Sequence, residues 1–273
     1  MPRRSPVSAR LARAFVFMVA AAAFASGCAV KRFTVPADAG EPVADAASAW
    51  QQASSACAGV RTLTAELSLS GRAAGTRLRG RIQAGFASPG RVRLEGVAPF
   101  GQPVFILAAD AVRATLLLPR DERVVRANAT AEILEALAGV RLDADTLRAV
   151  LAGCVMNGTP LSATRHGEVV RFAFNDGVVY ARGTGSAWRI VAGEARPFLV
   201  EYPEHAGAWP ARVRISRQLP GNGAVDLTIG ISQLETNTEL PASAFTIEIP
   251  PGTMPMTIGQ LREAGPLGAK DGQ

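Results

Sequence analysis

The sequence predicts a mainly β protein: one strongly curved antiparallel sheet, covered by an N-terminal helix and two mid-chain helices. Three observations carry this reading. Segments of apolar–polar alternation recur along the chain, bounded by Gly, Pro, Asn or Asp. The period becomes helical over 45–58 and again over 131–152, after which strands return. Runs of strands joined by tight turns pair antiparallel, and helices inserted between them can cover the open side of a bent sheet.

Taken in order, Asp45 to Ala58 places Ala46, Ala49, Trp50, Ala53 and Cys57 on one helical stripe, and Gly59 is a natural stop. Leu63 to Ser70 alternates strictly. Arg77 to Ala84 repeats the pattern, with Leu78, Gly80, Ile82 and Ala84 on one face and Arg77, Arg79, Arg81 and Gln83 on the other. Residues 71–76 connect these two strands, and a third follows at Val92 and Leu94. Val104 to Ala109 and Ala114 to Pro119 are apolar runs parted by a turn at Asp110, and Arg120 to Arg126 is a short charged strand or turn.

The helical pair comes next. Ile133, Leu134 and Leu137 share one face, as do Leu147, Val150 and Leu151. Asp143 or Asp145 suits an N-cap, and Gly139 and Gly153 suit stops. After Cys154 the strands are Glu168 to Asn175, Val178 to Arg182 beyond the Asp176-Gly177 turn, Ala187 to Val191, Phe198 to Tyr202, Ala211 to Arg217 and Ala224 to Gln233. Pro220-Gly221-Asn222-Gly223 is a turn signal between the last two. Phe245 to Ile249 reads as the final strand, ended by Pro250 and Pro251. A helical turn near Gln260 to Glu263 falls in the tail. Small inward residues (Ala65, Gly80, Ala84) either leave room on the apolar face or serve tight packing.

The N-terminus sets an expected location. Arg3, Arg4, Arg10 and Arg13 precede the apolar run Ala14 to Ala25, which has the length of a signal-peptide core and is too short to span a bilayer. Ala25, Ser26 and Gly27 before Cys28 resemble the lipobox of bacterial lipoproteins, implying cleavage after Gly27 and lipid on Cys28. Two or more acyl chains hold a protein on a membrane where one does not. The expected organisation is a signal peptide over 1–27, a lipidated, flexible tether over 28–44, one domain over 45–250 and a tail over 251–273. Formal net charge is +6, and losing the four leader arginines leaves the mature chain at +2, which supports no nucleic-acid footprint. With Cys28 lipidated, Cys57 and Cys154 remain in an oxidising envelope. They read either as a disulfide or as two buried thiols.

From here the chain resembles the LolB/LolA family of outer-membrane lipoprotein-sorting proteins. The resemblance rests on the lipobox, the strand Arg91 to Glu95, and the turn Ala98-Pro99-Phe100-Gly101 leading into Val104 to Leu107. It extends to the helices Thr130 to Gly139 and Leu142 to Gly153. It implies an open half-barrel closed by helices, with an apolar cavity for acyl chains. Candidate cavity residues are Leu67, Leu69, Ile82, Leu94, Phe105, Leu107, Leu117, Phe172, Phe174 and Val213. It also implies that Pro99, Phe100 and Gly101 form a membrane-insertion loop, since family members place an exposed Leu where Phe100 stands. The implied partners are the acyl chains of lipoproteins, a LolA-like periplasmic carrier and the membrane itself, acting on a monomer. Ala29, where an inner-membrane retention signal has Asp, fits an outer-membrane anchor facing the periplasm.

Other classes are a carrier or sensor of a free lipid, and a structural lipoprotein acting through protein contacts. An enzyme is not expected: the sequence has no G-x-S-x-G elbow, H-E-x-x-H, P-loop or C-x-x-C, and no cofactor or metal is expected. His166 and His205 read as turn or surface histidines without companions, and the arginine faces (Arg77, Arg79 and Arg81; Arg212 and Arg214) read either as the wet side of strands or as surfaces toward lipid phosphates or an acidic carrier.

Overall fold

The computed structural model describes residues 32–98, 103–184, 187–217 and 224–264. In chain order the elements are β1 (Glu41–Pro42), α1 (Ala46–Ala58), β2 (Thr62–Ala73), β3 (Thr76–Ala87), β4 (Arg91–Val97), β5 (Phe105–Ala109), β6 (Ala114–Leu118) and β7 (Arg123–Ala127). The helices α2 (Thr130–Ala138) and α3 (Ala144–Leu151) follow. Then come β8 (Ser162–His166), β9 (Val169–Ala173), β10 (Gly177–Thr184), β11 (Ala187–Ala195), β12 (Phe198–Ala206), β13 (Trp209–Arg217) and β14 (Val225–Thr236). The chain closes with β15 (Met254–Met256) and α4 (Ile258–Ala264).

All fifteen strands belong to one sheet that does not close, in the order β1-β8-β9-β10-β11-β12-β13-β14-β2-β3-β4-β5-β6-β7-β15. Neighbours are antiparallel except β7 and β15, which run parallel. The long β14–β2 pairing joins two meanders, so the first long strand meets the last. The two edge strands are short, and each carries a proline, Pro42 and Pro255. Short, proline-bearing edges offer few free N–H groups to another chain, which keeps an open sheet from extending itself.

The helices form because their termini are satisfied. Asp45 accepts the Ser48 N–H and Asp143 accepts the Thr146 N–H, each an N-cap bond that a side-chain carboxylate makes at little cost. Gly139 ends α2 at φ 67°, a left-handed conformation open to glycine. α1 lies against β11, α2 against β6 and β7, and α3 against β3, β4 and β13, so the apolar face of the sheet is roofed over much of its width. One continuous core of helix and sheet residues results, with Phe86, Phe172, Leu107, Ile133 and Val150 among its most enclosed members.

The structure differs from the sequence reading in four places. Residues 245–249 form no strand: Ala242–Phe245 is a 3-10 turn, and the chain around it crosses the outer face of the sheet. There the Arg93 guanidinium donates to the carbonyls of Ala244 and Thr246, and Arg91 stacks on the Phe245 ring. The tail then supplies β15 and α4, which pack on β7 and α2. β8 and β1 are strands that the alternation did not signal. Residues 33–43, expected as flexible tether, lie against the sheet. The Phe33 ring sits 4.9 Å from that of Tyr180, its N–H donates to Glu201 Oε1, and Val43 N–H donates to the Ala163 carbonyl. A docked apolar ring and hydrogen bonds to Glu201, Ala163 and His166 outweigh the chain entropy that a polar linker would keep.

Candidate functional site: the apolar inner face and its mouth

Pairing registers define which side chains share the inner face, because successive residues of a strand point to opposite sides. One inner row runs Ala65, Ala84, Leu94, Leu107, Leu116, Val125. The next runs Ile231, Leu67, Ile82, Gly96, Phe105, and a third runs Val213, Ile229, Leu69, Gly80. The first row is buried under the helices throughout. The other two are not. Leu69, Ile82 and Ile231 are only partly covered, as is Val104 at the start of β5, yet all four pack against the core. Gly80 between them is exposed, and a Cβ built there would meet nothing within 4 Å. At Gly96, by contrast, a Cβ would fall 2.5 Å from the Phe105 ring, so that glycine lets the ring lie flat on β4.

This is an apolar mouth beside a packed core. Small inward residues open it, as the sequence signalled at Gly80; Ile231 and Val104 were not anticipated. Of the expected cavity residues, Leu67, Leu94, Phe105, Leu107, Phe172 and Val213 are buried in the core, while Leu69, Ile82 and Phe174 are half-buried. Phe172 and Phe174 belong to the other meander, where both rings pack on Trp50 of α1 at 5.3 and 5.0 Å. Leu117 is on the wrong side. It pairs with Ile106 and Val124 on the outer face, while Leu116 and Leu118 face inward. Three consecutive leucines hide the alternation, and the outward Leu117 is buried all the same.

Pro99, Phe100 and Gly101 lie outside the described residues, as does Cys28. On either side of them, Val104 N–H donates to the Gly96 carbonyl at 2.9 Å. Cys57 and Cys154 form a disulfide with Cα atoms 5.6 Å apart, tying the end of α1 to the residue after α3's terminal turn.

The outer face is polar, with a paired cluster around Arg214. One row of partners runs Tyr180, Ala192, Glu201, Arg214, Thr228, Ser70, Arg79 across seven strands. In it Arg214 donates to Glu201 and, through two nitrogens, to Asp226. Asp226 is the leading cause that holds the Arg214 guanidinium pKa above its ordinary value.

The histidines are not surface residues without companions. His166, whose side chain is 5 % exposed, meets Asp38 Oδ1 through Nδ1 at 3.1 Å and Thr164 Oγ1 through Nε2 at 2.9 Å. Gly40, at φ 68°, lies so close that a Cβ would strike the ring. His205 is half-buried, and burial, then Arg189, pushes its pKa down. The His166–Asp38 contact fastens segment 33–43 to β8. It holds the Asp38 carboxyl below its ordinary 3.8, so the fastening is complete above that value and is lost as pH falls through the lowered one. Hydrogen exchange of residues 36–40, after correction for intrinsic rates, is therefore expected to accelerate below about pH 3.8. Asp38→Asn should remove that acid step.

Among the described residues, no group of three or more His, Cys, Asp or Glu side chains could hold a metal ion, and no helix is long and apolar enough to cross a membrane. What the site can do is exchange water-exposed apolar surface for a bound chain, at about 0.8 kcal/mol per methylene buried.

Neither protein-family models nor curated proteins match this chain. Solved structures do. A LolA superfamily protein from Nitrosomonas europaea is 12% identical, with 74% of this chain and 97% of that one covered and a TM-score of 0.49. A DUF1329 family protein from Desulfovibrio piger is 12% identical over 74% and 98%, at 0.46. A domain assigned to outer membrane lipoprotein sorting, from Vibrio parahaemolyticus, is 11% identical over 74% and 96%, at 0.41.

Proposed function

We propose that this chain is an envelope lipoprotein of the LolA/LolB kind, which takes acyl chains of other lipoproteins at its apolar mouth and passes them to the outer membrane. The observation that supports this is the mouth itself. Leu69, Ile82, Ile231 and Val104 are joined to the core and remain partly open, around a glycine with free space above it. A chain needed only for protein contacts gains nothing from keeping inward-facing aliphatic residues half-exposed. An acyl chain laid along them removes that surface from water.

The handover needs no covalent chemistry. A carrier presents the acyl chains, they transfer to this surface, and they leave for the larger apolar sink of the bilayer. Phe100, which follows β4 in sequence, touches the leaflet. Burying one such ring contributes about 1.5–3 kcal/mol, enough to orient a protein that Cys28 lipid already anchors.

Two substitutions separate the steps. Ile82→Glu puts a carboxylate in the mouth and is expected to weaken acyl-chain binding at least tenfold, since losing one buried side chain is worth more than the 1.4 kcal/mol of a decade. Phe100→Glu is expected to keep acyl binding and lose insertion of cargo into vesicles. Mass spectrometry of lipids that co-purify with each variant reads the first effect. Equal lipid content in wild type and Ile82→Glu would sink the mouth. Depletion in cells distinguishes the cargo: lipoproteins accumulating on their carrier support this reading, and accumulation of a free lipid instead replaces it.

A further inference from the structure

We propose that a cavity on the outer face of β5, β6 and β7 binds the phosphate group of a small phosphate ester through Arg113, Thr115, Arg126 and Asn128. The sheet and the C-terminal segment build the hollow together. One row of paired residues, Thr64, Gly85, Arg93, Ala108, Thr115 and Arg126, crosses that face. Segment 241–247 passes over the row, and Arg93 stands under it as a post, donating to the Ala244 and Thr246 carbonyls. The next residue in the row, Ala108, has only a methyl group to fill the space. A cavity of about 310 Å³ opens there, walled by Phe245, Thr246 and Ile247. Small-molecule sites begin at about that size. The hollow on the other side of Arg93 is lined by Glu66, Glu95 and Glu235, so the segment covers two hollows of opposite character.

Pairing register makes the four donors converge. Thr115 and Arg126 are direct partners on β6 and β7, and Arg113 and Asn128 each stand one residue beyond the Ala114–Ala127 pair. Residues two apart on a strand share a face at about 6.7 Å, and paired strands lie about 4.8 Å apart. The four residues therefore mark a rectangle, with the two arginines on one diagonal and the hydroxyl and carboxamide on the other. All four line the cavity. A phosphate ester brings three terminal oxygens, enough to accept from both guanidiniums and from Thr115 or Asn128 at once. A carboxylate offers only two to the same groups.

These donors have little use inside the protein. The side chains of Thr115, Arg126 and Asn128 make no hydrogen bond or ion pair among the described residues, whereas Arg93, Arg148, Arg212 and Arg214 are all paired. Asp110 is the acid that lines the cavity. Its Oδ1 accepts the N–H groups of Val112 and Arg113, each at 2.8 Å, and its charge draws Arg113. Arg126 is left without a counter-charge. Two guanidiniums against one carboxylate give the cavity a positive balance, and concave walls focus that field on whatever enters.

The test titrates the full-length protein, purified in a non-ionic detergent, with glycerol 3-phosphate by calorimetry. Binding at one site is expected. Arg113→Gln with Arg126→Gln should weaken it at least tenfold, and Thr115→Val should weaken it less, because a hydrogen bond to a charged group is worth about a decade or more. Arg113 and Arg126 are exposed and Thr115 is half-buried, so the urea midpoint should stay in place in every variant. Arg79→Gln, an exposed arginine of β3 outside the cavity, should bind like wild type. Micelles carrying phosphatidic acid separate two sources of the same group. Binding to them that needs both cavity arginines supports a lipid headgroup as the occupant, and binding of the free ester alone supports a soluble one. No saturable binding of either overturns the site. Acetate bound as tightly as glycerol 3-phosphate overturns the phosphate assignment, and an equal loss from Arg79→Gln overturns the cavity in favour of general surface charge.

Discussion

Arg214→Ala is expected to destabilise the protein by about 3 kcal/mol, read as a lower urea midpoint with unchanged slope. The cost comes from Glu201. Its side chain is 4 % exposed, and its partner Arg214 is 14 % exposed, 2.6 Å away. Removing the guanidinium leaves a buried carboxylate whose remaining partner is the Phe33 N–H. Breaking a buried pair from one side costs about 3–5 kcal/mol, and the surviving bond to Phe33 places this case at the lower end. The second link, to Asp226, adds little, because that carboxylate is 46 % exposed and water can replace the arginine. Adding Glu201→Gln to the Arg214→Ala variant should recover about 1–2 kcal/mol, since a neutral amide is cheaper to bury than an ion. If the double variant is as unstable as the single, the buried charge is not the cause.

Cys57→Ala with Cys154→Ala is expected to cost about 3–4 kcal/mol, the other large effect. The two cysteines are 97 residues apart in sequence, and a loop near that length confines the unfolded chain by up to about 4.7 kcal/mol in the chain-entropy account. Beyond the total, the location of the bridge matters. It joins α1, which lies on β11, to the turn after α3, which lies on β3, β4 and β13. Both helices roof the inner face. Without the bridge they should part from the sheet before the strands separate, so an apolar dye should bind below the main unfolding transition. Reduced and oxidised wild type differing by less than about 1 kcal/mol in urea would overturn the prediction.

Much of this was legible in local pattern. The strands β2, β3 and β4, the turn at Asp176-Gly177 and the helices α1, α2 and α3 follow from periodicity and capping residues, which act over a few positions. Gly80 was recognisable as a gap because it holds an inward place in an alternating strand. What periodicity missed had no periodicity to show. β1 and β15 are two and three residues long, and each exists only because a distant strand, β8 or β7, offers it an edge. Residues 245–249 alternate like a strand, but Phe245 is held by Arg91 and the neighbouring carbonyls by Arg93, so the segment lies across the sheet instead of within it.

From its own order of residues the chain determines that it forms a bent antiparallel sheet with helices to cover it, because alternation, helical spacing and turn chemistry are short-range properties. Only the tertiary structure decided which of Leu116, Leu117 and Leu118 face inward, how the two halves join at β14 and β2, and where residues 33–43 come to rest. The last two outcomes depend on partners more than a hundred residues away, as Phe33 depends on Tyr180 and Glu201. A long-range contact forms when its burial and hydrogen bonds exceed the entropy of ordering the chain between, and that balance is struck between surfaces that no local window contains.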